Sequence, residues 1–167
     1  MDVTDATFEK DVIERSHDEP VVVDFWADWC GPCKALTPVL EEATANAGVT
    51  LAKVDTDANQ QLAQQYDIRG IPAVKAFRNG HVVAEFVGAQ PKARVEAFLA
   101  ELTKPPVAEQ TDDPELKAAL EAKDYERAFE ILLARLDRET MVALFQELGH
   151  EHPLVMQYRR RLAAAIY

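Results

Sequence analysis

Cysteine is nearly absent from this chain: 167 residues contain two, both inside the stretch WADWCGPCKALTP, Trp26 to Pro38. A framework of several disulfides holding a small fold together is therefore excluded. Glycine is scarce as well, six residues scattered singly, so no glycine-rich loop is available to cradle a phosphate. Basic residues are outnumbered, 18 Lys and Arg against 29 Asp and Glu for a formal charge of -11, and the one tight basic run is Arg159-Arg160-Arg161. Such a balance repels phosphate backbones and anionic lipids, which argues against nucleic acid as a partner. No segment approaches the roughly 18 apolar residues needed to span a bilayer. The opening MDVTDATFEKD has neither a basic start nor an apolar run, so the expected location is the cytoplasm, with no membrane partner. Histidine numbers four (His17, His81, His150, His152), none at ligand spacing from Cys30 or Cys33; no metal is expected.

What is present is enough apolar material, 48% of residues, to bury a real core. From Pro20 the run VVVDFWA is β-branched and aromatic without alternation, the pattern of a central strand buried on both faces. Gly31-Pro32 opens a helix with Leu36, Val39, Leu40 and Ala43 at helical spacing, and Pro38 inside it predicts a kink. VTLAKVD, Val49 to Asp55, reads as a second strand, and Asp57 is placed to cap a helix holding Leu62 and Tyr66. AVKAFRNGHVVAEFVG reads as two strands about the turn Asn79-Gly80. A last amphipathic helix runs from about Pro91 to Leu102, carrying Val95, Phe98, Leu99 and Leu102 on one face. Ahead of Pro20, ATFEKDVIERS reads as a helix with Phe8, Val12 and Ile13 inward. Strands alternating with helices and closing in a hairpin imply an α/β sandwich, a mixed central sheet with helices on both faces. In such sheets chemistry gathers at the carboxyl ends of strands, where CGPC follows VVVDFWA.

The pair Cys30 and Cys33 is open to three readings: a metal site, two ordinary buried thiols, or a reactive dithiol. Structural cysteines have no reason to sit at CxxC spacing beside Gly31 and Lys34, which favours the last. Only a thiolate attacks a disulfide, so a working Cys30 requires a lowered pKa and an exposed sulfur. At the first turn of a helix begun by Gly31 and Pro32, unpaired N–H groups and the positive end of the helix dipole stabilise a sulfur anion. Cys33, one turn further in, is close enough to resolve a mixed disulfide. Asp24, inside VVVDFWA, is a carboxylate whose charge desolvation makes costly; a buried acid of raised pKa can accept a proton from Cys33 near neutrality. A structural ion pair between Asp24 and Lys53 is the competing reading, and Lys53 would tune Asp24 in either case.

WCGPCK, the acid Asp24 on the preceding strand, KVDTD at Lys53 to Asp57, and RGIPAV at Arg69 to Val74 together resemble the thioredoxin family over roughly residues 3 to 103. The resemblance implies a thioredoxin fold in which Cys30 is the attacking nucleophile, Cys33 the resolving thiol and Asp24 the proton acceptor. Pro72 would be a cis proline facing the cysteines, supported by Gly31, Pro32 and Lys53. It further implies a substrate-facing rim of Trp29, Gly31, Pro32, Ile71, Pro72, Val87, Gly88 and Ala89. It calls for no cofactor beyond a redox-active disulfide between Cys30 and Cys33, and for two kinds of partner, disulfide-containing proteins and a flavoprotein thioredoxin reductase. Ala73 departs from the threonine usual after that proline. The segment before the first helix is short, so the family's first strand is expected to be stunted or supplied by a neighbour. Gly-Pro between the cysteines resembles reductases.

TKPPVAEQTDDP, Thr103 to Pro114, is a polar, proline-rich break. The expected division is a domain at 1–103, a linker at 104–113 and a helical tail at 114–167. The tail reads as four helices: Leu116 and Leu120 mark the first, Tyr125 to Leu136 the second, Met141 to Leu148 the third, and Pro153 to Ile166 the fourth. The arginine triplet reads as a solvated face of the last helix, with a salt-bridging contact as the lesser reading. LEAKDYERAFEILLARL resembles part of a tetratricopeptide repeat, with Asp124-Tyr125 at the turn and Ala128 as the small packing residue. The whole arrangement resembles a shortened chaperedoxin, a thioredoxin domain carrying degenerate repeats. Two functions follow from these resemblances. One is a dithiol-disulfide oxidoreductase whose tail docks or pairs two copies. The other is a co-chaperone that holds unfolding proteins and passes them to a chaperonin.

Overall fold

A computed structural model describes residues 1–167 and divides them into two compact units, Met1–Lys104 and Pro105–Tyr167.

The first unit is built on a four-stranded sheet: β1 Val21–Trp26, β2 Thr50–Asp55, β3 Ala73–Arg78 and β4 His81–Val87, in the order β2-β1-β3-β4. β1 and β2 are parallel, which requires a crossover, and α1 (Gly31–Ala47) supplies it. β3 runs antiparallel to both β1 and β4. The hairpin between β3 and β4 turns on Asn79 and Gly80, both at positive φ (51° and 79°), as a two-residue hairpin turn matching the sheet's twist requires. Side chains alternate along β1. Val21, Val23 and Phe25 pack with Phe8, Val12 and Leu62 on one face. Val22 packs on the other with Leu36 and Leu40 of α1 and Val95 and Leu99 of α3 (Lys92–Leu102). Asp24 shares the parity of Val22 and so points toward α1.

Several local expectations give way to non-local contacts. The segment before Pro20 is not one α-helix: a wide turn at Glu9–Glu14 tightens into a 3-10 turn at Arg15–His17. The β3–β4 turn shapes that end, since Ser16 Oγ accepts from Gly80 N at 2.7 Å and Ser16 O from Asn79 N at 2.8 Å. The stunted first strand comes from the chain itself and not from a neighbour: Lys53 N donates to Met1 O (2.8 Å) and Val3 N to Lys53 O (2.9 Å), covering the outer edge of β2. α2 is short, Gln60–Gln65, and Tyr66 lies just beyond it. Asp57 does not cap it. Asp5 does so from 57 positions away, its Oδ1 accepting from Leu62 N at 3.1 Å. α1 runs on through Pro38 to Ala47.

In the second unit the segment read as a linker carries structure. A short helix, α4 (Val107–Gln110), buries Val107 in the tail's core, and Val107 N donates to Glu147 Oε2 at 2.7 Å. α5 (Pro114–Glu121), α6 (Tyr125–Ala134), α7 (Arg138–Leu148) and α8 (Pro153–Ile166) follow. Phe129 stacks on Tyr158 at 4.8 Å and leans on Phe145 at 5.3 Å, forming the centre of this core, and Ala128 is fully buried against it. All three arginines of the triplet are exposed, as a solvated face requires, and two of them also make surface contacts. Arg161 forks onto Glu130 and lies 4.8 Å over the Tyr158 ring; Arg159 bonds His150 Nδ1 at 2.9 Å. Glu130 is held below the usual carboxylate range, first by its bond from Arg161 and then by that from Tyr158.

Candidate active site

β1 ends at Trp26, and after a tight turn closed by Cys30 N donating to Ala27 O (3.1 Å) the chain enters α1. Cys30 is the residue capping α1, in an extended conformation (φ -89°, ψ 102°), and its sulfur accepts from Cys33 N at 3.2 Å. Ser, Thr, Asp or Asn usually fills that position with an oxygen; here sulfur does, so the Cys33 N–H in the first turn of the helix points at Cys30 Sγ. Pro32 in the first turn gives up an N–H that has no helical partner anyway. Cys30 and Cys33 are joined as a disulfide. The expectation of an exposed Cys30 sulfur fails in this state: the residue is 3% accessible and Cys33 1%. The bond to Cys33 draws the sulfur onto the start of α1, while Trp29, Gly31, Pro32 and Lys34 around it remain exposed.

Asp24 is wholly buried. Burial pushes its carboxyl up to about 6, opposed by a hydrogen bond from Thr37 and by the nearby Lys53 charge, with Glu41 adding slightly to the rise. Thr37 Oγ1 stands 3.1 Å from Asp24 Oδ2 and 3.0 Å from Cys33 O, so a single hydroxyl links the carboxylate to the second cysteine. Asp24 Oδ1 has no partner, and neither does Trp26 Nε1, also buried and two residues along the same strand face. Lys53 lies opposite Asp24 across the β1–β2 pair, yet its ion pair is with Glu41 at 3.1 Å. A direct Asp24–Lys53 pair is thus replaced by a three-charge group. Glu41 holds the Lys53 ammonium above its usual value. Sequence reading missed Thr37 and Glu41. The available signal was helical spacing: Cys33, Thr37 and Glu41 recur every four residues and so share the face of α1 turned to Asp24.

The remaining residues gather at the same end of the sheet. Register places Ala73 beside both Phe25 and Val87, so the start of β3 lies where β1 runs out toward the cysteines and β4 ends. Ile71-Pro72 is a cis peptide. Gly88 N donates to Pro72 O at 2.8 Å, binding the Val87-Gly88-Ala89 segment to the proline. Gly88 has φ 90°, a conformation that glycine alone adopts freely. Trp29 and Val87 expose 71% and 63% of their surface, large for apolar side chains and suited to covering by a bound chain. Trp29 is held outward by its indole N–H donating to Asp57 Oδ2 at 3.0 Å. No group of three or more His, Cys, Asp or Glu side chains is disposed to hold a metal.

A disulfide at a helix start, a buried acid behind it, and a cis proline at the same end of the sheet are the features of a dithiol–disulfide exchange site on an α/β sheet. The thioredoxin family model matches residues 1–101 and a tetratricopeptide-repeat model matches residues 93–167. Thioredoxin of Pseudomonas aeruginosa is 45% identical over 101 residues, 59% of this chain and 92% of that protein. Thioredoxin C-2 of Corynebacterium nephridii is 46% identical over the same length and shares, and thioredoxin 1 of Synechococcus elongatus is 49% identical over 92 residues, 54% of this chain and 84% of its own. The chain belongs to the thioredoxin family: it is a thioredoxin-type disulfide oxidoreductase followed by a region similar to tetratricopeptide repeats.

Proposed function

We propose that the protein reduces disulfides of other proteins in the cytoplasm by two exchange steps at Cys30 and Cys33. The observation that carries this reading is the hydrogen bond from Cys33 N to Cys30 Sγ at the start of α1. Once the pair is reduced, the same N–H and the helix terminus stabilise a Cys30 thiolate. That thiolate attacks one sulfur of a substrate disulfide; the substrate's S–S bond breaks, its first thiolate leaves and takes a proton from solvent, and Cys30 is joined to the substrate. Cys33 then loses its proton to Asp24, attacks Cys30 Sγ, and releases the second substrate thiolate, which takes up a proton. The substrate gains two electrons and two protons, and Cys30–Cys33 is again a disulfide. A flavoprotein thioredoxin reductase is the proposed source of electrons for the next cycle. Trp29, Gly31, Pro32, Ile71, Pro72, Val87, Gly88 and Ala89 form the proposed rim that receives an extended segment of substrate.

Insulin reduction by dithiothreitol, followed as turbidity, tests this reading with the full chain and with Cys30→Ser. The full chain is expected to accelerate precipitation and the variant not to; equal acceleration by both overturns it.

The second unit has the chemistry of a protein-docking element. Between α7 and α8 an open cavity of about 320 Å³ is floored by Val142, Phe145, Leu162 and Ile166, which favours a second role in holding unfolding proteins or contacting chaperones. Light scattering of a heat-unfolded client without cysteines separates the two. Suppression by the full chain that is lost in Val142→Asp supports the second role, and no suppression removes it.

A further inference from the structure

The two oxygens of Asp24 have unequal surroundings. Oδ2 accepts from Thr37 Oγ1 at 3.1 Å, and Oδ1 is buried with no partner. Thr37 Oγ1 also lies 3.0 Å from Cys33 O. Bonds from a helical threonine to the carbonyl four residues back are a local habit, and two others occur here: Thr44 to Leu40 O at 2.7 Å and Thr103 to Leu99 O at 2.9 Å. Neither faces a carboxylate. Thr37 differs in having a titratable acceptor as its second choice.

A hydroxyl carries one proton and two lone pairs. With Asp24 ionised, the charged Oδ2 is the stronger acceptor and takes the Thr37 proton. With Asp24 protonated that advantage is gone and the proton turns to Cys33 O. We infer that Thr37 is a positioning residue for proton transfer: by holding Oδ2 it leaves Oδ1 as the oxygen that receives the Cys33 proton, and its hydroxyl then turns to the Cys33 carbonyl. This rests on the reading of Asp24 as the base for Cys33. The other groups facing Asp24 are Lys53 of β2 and Glu41 of α1, bonded to each other at 3.1 Å. β3 sets the apolar Val74 opposite it, and the buried residues of α3 are Val95, Leu99 and Leu102. Thr37 is thus the one uncharged group whose side chain bonds the carboxylate.

The pH dependence of disulfide reduction from pH 5 to 9, with the full chain as wild type, Asp24→Asn, Thr37→Val, Thr37→Ala and Thr37→Ser, tests the inference. A carboxyl 13C titration of Asp24 in the oxidised forms accompanies it. Valine keeps the shape and removes the bond, so the acid midpoint is expected to rise by about one unit in both readouts, since a hydrogen bond to a charged group is worth about that much. Thr37→Ala should follow valine and Thr37→Ser should keep the wild-type midpoint. If Asp24→Asn removes the component of the acid limb near pH 6 and leaves that of the Cys30 thiol, while Thr37→Val and Thr37→Ala leave the pH 6 component unmoved, the inference fails and the role of Asp24 stands. If serine shifts the midpoint as far as valine, the hydroxyl is not responsible and the inference also fails. If Asp24→Asn leaves the whole profile unchanged, so that the limb belongs to Cys30 alone, both fall together.

Discussion

A carboxyl group shut away from water binds its proton harder, and folding must supply the difference whenever the solvent pH removes it. Asp24 sits near pH 6 in the folded chain against an ordinary 3.8. Between those values the folded state holds a proton that the unfolded chain has released. Its contribution to stability is therefore complete below about pH 4 and lost as pH rises through about 6. The gap of about two units corresponds to about 3 kcal/mol. Asp24→Asn is expected to raise the urea unfolding free energy of the oxidised protein by up to that amount at pH 8, with the difference vanishing below pH 4. An Asn variant no more stable at pH 8 would mean that the carboxylate is well solvated. At this scale the cysteines and Asp24 were legible because each is chemically out of place, two thiols at a helix start and an acid inside an apolar strand. Thr37 was not, since a threonine on a helix is unremarkable until the aspartate it meets, 13 residues back, is placed beside it.

Helix ends obey local rules, which is why the tail's helices could be read from sequence with little error. α6 ends on Leu136 in a left-handed conformation (φ 52°), with Leu136 N bonded to Leu133 O and Asp137 N to Leu132 O. Asp137 then caps α7 by accepting from Thr140 N at 3.0 Å. The same device joins α5 to α6 through Lys123 and Asp124. Glycine is the residue such turns favour, and Leu136 is 57% exposed, so little packing depends on it. Leu136→Gly should raise the tail's stability by about 1 kcal/mol, since a left-handed leucine costs about that much. An increase in the far-UV urea midpoint checks this, and a decrease would show that the leucine packs. Non-local elements were the ones misread: Asp5 capping α2 and Glu147 holding α4 are set by groups 57 and 40 residues away, and no window along the chain contains both partners.

At the scale of the molecule, chemistry and tail occupy separate compact units, Met1–Lys104 and Pro105–Tyr167. The mixed sheet and the all-helical tail were legible from the change of periodicity at the proline-rich break, although that break proved partly helical because Val107 finds a core to enter. A chain ending at Lys104 is expected to keep insulin reduction within about twofold of the full protein, the tail being absent from every step of the exchange; a loss of tenfold or more would tie the tail to catalysis. All of it depends on what happens at Cys30 when the closed disulfide, 3% accessible at that residue, is opened. The most direct measurement is the rate of iodoacetamide alkylation of the reduced, folded Cys33→Ser chain as a function of pH. The account predicts an inflection at least about one unit below the 8.5 or so of a free cysteine. An inflection at or above that of a free thiol, or a Cys30 that stays unreactive while the chain is folded, would contradict it.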